Sequence, residues 1–121
     1  MKQGDLIAVN GNFYEYGGIE KGEYSKATFH KVYVVDIDED GILTATGITS
    51  YFTDEELKNN EIKFTKPQWY GIVEYFIRQY YNLTEEEISD AVEDIVGREF
   101  AHGRPKTIEE LQKHIAVHMS R

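Results

Sequence analysis

The 121-residue chain has no cysteine, two prolines, one tryptophan and far fewer bases than acids. Without cysteine, disulfides, zinc–thiolate sites and thiol nucleophiles are excluded. No apolar run approaches the ~20 residues of a membrane-spanning helix, and the opening Met1-Lys2-Gln3-Gly4-Asp5 lacks a signal-like hydrophobic region. These absences lead to the expectation of a cytoplasmic protein. Lys and Arg number 13 against 22 Asp and Glu, for a formal charge of −9. Direct binding to duplex DNA or to an anionic membrane draws on a basic surface and is disfavoured. Walker and dinucleotide patterns, metalloprotease motifs and a Ser-His-Asp arrangement are also missing, which leaves catalysis and a cofactor without support.

What is present is enough apolar material for a core, including nine tyrosines and six phenylalanines. The pattern predicts one α+β domain over 1–121, mainly β over 1–66 and helical over 67–121. In the first half, short β-like runs are separated by turn signals: Asn10-Gly11, Gly17-Gly18 and Asp38-Glu39-Asp40-Gly41. Asn-Gly and Asp-Gly between alternating apolar residues are strong hairpin signals, so at least two antiparallel hairpins are expected. A helical turn over 54–58, a left-handed exit at Asn59-Asn60 and a last strand over 61–65 complete this half. The opening residues 2–11 look like the first hairpin of a small SH3-like barrel.

Three helices are expected in the second half, at about 68–81, 84–100 and 107–119. Thr53/Glu56, Thr84/Glu87 and Thr107/Glu110 each have the spacing of a capping box, in which threonine and glutamate satisfy orphan backbone N–H groups reciprocally. The first long helix is apolar around more than half its circumference, through Trp69, Ile72, Val73, Phe76, Ile77 and Tyr80 with Tyr70, Tyr75 and Tyr81. Such a helix is usually buried; its tyrosines are the expected surface for any homo-oligomer. Gly71 inside it is disfavoured by roughly 1 kcal/mol against alanine, which predicts another backbone close by.

The second of these helices has one apolar side, with Ile88, Ala91, Val92, Ile95 and Val96 at helical spacing, and one acidic side made of Glu86, Glu87, Asp90, Glu93 and Asp94. The helix dipole favours carboxylates only in the first turn. Farther along, the like-charge pairs Glu86/Asp90 and Asp90/Asp94 each cost roughly 0.2–0.5 kcal/mol. A mildly costly acidic stripe points to a basic partner, with a nucleic-acid-binding protein expected, for which the stripe imitates a phosphate backbone. Small acidic inhibitors made by phages and other mobile elements, anti-CRISPR proteins among them, have this size and charge, so an anti-defence inhibitor is the expected role.

The alternative is an anionic ligand or nucleotide held by the one basic loop, Arg98, His102, Arg104 and Lys106, interleaved with Gly97, Gly103 and Pro105. Two possible cation sites carry less weight. Residues 36–41 spell the first half of a calcium loop, but the position that needs a bidentate glutamate is Gly47 and the flanks read as strands. Glu110, His114 and His118 share a helix face, yet the glutamate is explained by capping. A DNA-reading helix pair is disfavoured because the would-be reading helix opens with Glu109 and Glu110.

Overall fold

The computed structural model describes residues 2–98 and 103–120. Four strands, β1 (Leu6–Val9), β2 (Asn12–Glu20), β3 (Lys26–Ile37) and β4 (Leu43–Ser50), precede four helices, α1 (Asp54–Lys58), α2 (Lys66–Tyr80), α3 (Glu85–Gly97) and α4 (Ile108–Met119). The strands form an antiparallel meander in the order β1-β2-β3-β4. The α+β arrangement expected from the sequence is the one found. β1 and β4 both remain edges, so the barrel closure suggested by the opening hairpin is not seen in this sheet.

The turns follow from local chemistry. Val9 pairs with Asn12 across a two-residue loop in which Asn10 and Gly11 have φ of 50° and 85°, the type I′ geometry that matches strand twist. At the β3–β4 turn the Asp38 carboxylate accepts from the backbone N–H groups of Asp40 (3.0 Å) and Ile42 (2.9 Å). Gly41 takes φ 78° and its N–H donates to Asp38 O at 2.9 Å. The acidic run is thus a tight turn, pinned to α2 by Gln79, whose side-chain N–H donates to Gly41 O at 2.8 Å.

Three expectations for the first half are corrected. Gly17-Gly18 does not turn the chain: β2 continues through it with a bulge, Gly18 at φ 91°. A Cβ on Gly17 would lie 2.7 Å from His30 Nε2 and 2.8 Å from Thr28 Oγ1, so glycine here answers a close cross-strand approach. Asn59 leaves α1 at φ −86°, not left-handed; its side-chain N–H instead donates to Asn10 Oδ1 at 2.7 Å. Residues 61–65 alternate like a strand, with Ile62 and Phe64 buried, but join no ladder. The Ile62 N–H donates to Lys106 O at 2.6 Å, which ties this segment to the approach to α4.

Helix starts are capped as the threonines predict, with one exception. Thr53/Glu56 and Thr84/Glu87 are reciprocal boxes. At α4 the Thr107 hydroxyl accepts from the Glu110 N–H, but the Glu110 carboxylate reaches past it to the Lys106 N–H at 2.8 Å. An unanticipated cap starts α2, where the Gln68 side-chain oxygen accepts from the Thr65 N–H at 2.9 Å.

One apolar core joins both halves of the chain. Phe13, Val32, Val34 and Leu43 from the sheet meet Trp69, Ile72, Val73, Phe76 and Ile77 of α2 and the inward residues of α3 and α4. Gly71 is where α2 rests on the sheet: a Cβ built there would lie 1.7 Å from the Val34 carbonyl oxygen. The backbone approach inferred from a costly helical glycine is real. β4 is the opposite case. Its eight residues, LTATGITS, carry no charge, Ile48 is 74% exposed, and its outer edge pairs with nothing among the described residues.

Candidate partner-binding face

α3 is held by both ends of its apolar side. Ile88, Val92, Ile95 and Val96 are buried, and the Thr84 box fixes the first turn, with Thr84 N–H to Glu87 Oε1 at 3.0 Å and Glu87 N–H to Thr84 Oγ1 at 3.2 Å. This anchoring sets which carboxylates face outward.

The five acidic residues singled out in the sequence do not share one environment. Glu87 is exposed but serves the cap, and its hydrogen bonds from the Thr84 backbone and hydroxyl hold its carboxyl below the ordinary glutamate range. Asp94 is half-buried and meets Arg98 Nε at 3.0 Å and His118 Nε2 at 3.4 Å. Glu86, Asp90 and Glu93 are exposed, and none has a basic side chain within salt-bridge distance among the described residues. At 100° per residue these three fall within an arc of about 60° and span about 10 Å of helix axis. The face is therefore a row of three open carboxylates, flanked by Glu87 and Asp94 in local service.

Neighbouring acids are neutralised locally. Arg78 forks onto Glu85 at 2.7 and 2.6 Å and touches Glu74 at 3.6 Å. The fork holds the Glu85 carboxyl low and raises Arg78 further, and it locks the α2–α3 corner.

Beside the open row runs a groove of about 660 Å³ between β3, α2 and α3. Val35, Pro67, Tyr70 and Val92 give it apolar lining, and Glu74 and Glu93 line it from one helix each. Glu93 thus belongs to both features. Sequence reading misses the groove because Tyr70 and Glu74 become its wall only when α2 settles on the sheet at Gly71.

Of the basic-loop residues, Arg98 is engaged by Asp94, Arg104 and Lys106 are exposed, and the neighbouring Pro105 is buried. His102 lies outside the described residues. On α2 the stripe Trp69, Ile72, Val73, Phe76 and Ile77 is buried in the core; Tyr70, Tyr75 and Tyr81 are partly covered and Tyr80 is 67% exposed. Among the described residues no helix is long and apolar enough to cross a membrane. Comparison with known protein families, curated proteins and solved structures returns no match to this chain.

Proposed function

We propose that the protein is a small, non-catalytic, cytoplasmic binding protein whose α3 face captures a basic, nucleic-acid-binding partner and competes with nucleic acid for it. The observation that carries this reading is the row Glu86, Asp90 and Glu93, left open while the acids around it are paired or capped. Three charges over about 10 Å match the axial charge density of one nucleic-acid strand, about one phosphate per 3.4 Å. A rigid array of this kind costs its helix a few tenths of a kcal/mol in like-charge repulsion and speeds encounter with a positive surface. An inhibitor of a defence enzyme, carried by a phage or mobile element, is the role this reading implies.

The test is affinity capture at low and moderate salt with the wild type and a Glu86→Gln/Asp90→Asn/Glu93→Gln variant. The expected result is a partner displaced by nucleic acid, captured less by the variant and with a shallower salt dependence. Equal capture with unchanged salt dependence would refute the proposal. The alternative, an anionic ligand or nucleotide on Arg98, His102, Arg104 and Lys106, has less support because Asp94 already occupies Arg98. It requires that Arg104→Ala abolish binding and that the acidic-face variant leave it intact.

A further inference from the structure

We infer that the groove between β3, α2 and α3 is the seat of an arginine side chain presented by the basic partner, an inference that rests on the proposed α3 face. Its chemistry suits a guanidinium better than an ammonium. Tyr70 and Pro67 line one wall, and a planar, weakly hydrated guanidinium stacks on such surfaces more readily than an ammonium does. Acidic residues line it from two helices, Glu74 of α2 and Glu93 of α3, and a forked donor can bond more than one oxygen.

Glu74 is shared. Arg78 makes two short bonds to Glu85, but its buried Nε has no hydrogen-bond partner among the described residues and lies 3.6 Å from Glu74 Oε2, so an incoming guanidinium would divide this carboxylate with Arg78 and draw mainly on Glu93. Lys66, the sole cation on the lining among the described residues, is exposed. It lies eight residues before Glu74, about 12 Å along the axis of α2, so it marks the far end of the groove. Val92, which is buried, and Val35, which is 51% exposed, add apolar surface to an otherwise solvent-open groove. The volume falls within the range of about 300–1,000 Å³ typical of specific ligand sites.

The open row outside the groove contributes long-range attraction, which lysine and arginine feel alike. The groove contributes the choice between them. The two parts are separable with an oligo-arginine peptide and an oligo-lysine peptide of equal length, each fluorescently labelled, titrated against the full chain by anisotropy. Two variants complete the test: Ser89→Trp, which fills the groove from an exposed lining position without changing charge, and Glu86→Gln/Asp90→Asn, which discharges the row and leaves the lining intact.

The wild type is expected to bind oligo-arginine about tenfold tighter than oligo-lysine. Ser89→Trp should remove that preference and keep the salt dependence, while Glu86→Gln/Asp90→Asn should weaken both peptides equally and keep the preference. Equal binding of the two peptides by the wild type overturns the groove assignment without needing any variant. If binding is also insensitive to Glu86→Gln/Asp90→Asn, the acidic-face reading falls with it. A retained arginine preference in Ser89→Trp likewise overturns the assignment, and a loss in that variant alone would leave the groove standing without the row.

Discussion

Gly71 shows how one hydrogen in place of a methyl group decides a layer spacing. α2 lies against β3 closely enough that any Cβ at this position would overlap the Val34 carbonyl at 1.7 Å. Gly71→Ala gains roughly 1 kcal/mol of helix propensity but forces α2 off the sheet, for an expected net loss of about 2 kcal/mol. Urea unfolding followed by Trp69, the only tryptophan and 2% exposed, measures it; a variant as stable as the wild type would refute the contact. Two glutamates make a second prediction at this scale. Glu85, bonded by Arg78, and Glu87, bonded by Thr84, both have lowered pKa values. A carboxyl held low in the folded state binds its proton more readily when unfolded. Its contribution is therefore present above the unfolded value, about 4.3, and is lost as pH falls through the folded one. The urea midpoint should drop on acidification below about pH 4.3, and less steeply in Glu85→Gln/Glu87→Gln. Identical pH profiles would rule this out.

At the scale of elements, local chemistry decides most starts and turns. The Asn10-Gly11 hairpin, the Asp38–Gly41 turn and the threonine caps are legible because each is settled by residues two to four apart. The errors share the opposite cause. Gly17-Gly18 reads as a turn until Thr28 and His30 crowd it from the neighbouring strand, and 61–65 reads as a strand until its partner proves to be Lys106. The candidate site divides the same way. The periodicity of α3 places its acids outward, but only the fold reveals that Asp94 meets His118 from α4 and that Tyr70 and Glu74 wall a groove. Thr84→Ala, which removes half of the cap at the start of α3, should cost about 1 kcal/mol. Discharging Glu86, Asp90 and Glu93 should instead leave stability equal or slightly raised. Calorimetry of the two variants distinguishes a structural acid from one kept for something else.

For the whole molecule, the salient fact is that one core unites sheet and helices while charge is unevenly matched over the outside. The formal charge of −9 acts between molecules as well as toward a partner. Its importance is greatest at β4, whose outer edge pairs with nothing among the described residues and has no lysine, proline or buried charge to discourage a neighbour's strand from adding on. The protein thus relies on mutual repulsion as its colloidal safeguard, and that safeguard disappears near the isoelectric point of 4.8. Turbidity and amyloid-dye fluorescence should rise there. Ile48→Lys, on the rim, should suppress both, while Val117→Lys, an exposed site on α4, should not. Where most sheet proteins defend such a border residue by residue, this one keeps the peace by electrostatic distance, and acid brings the strands within reach of one another.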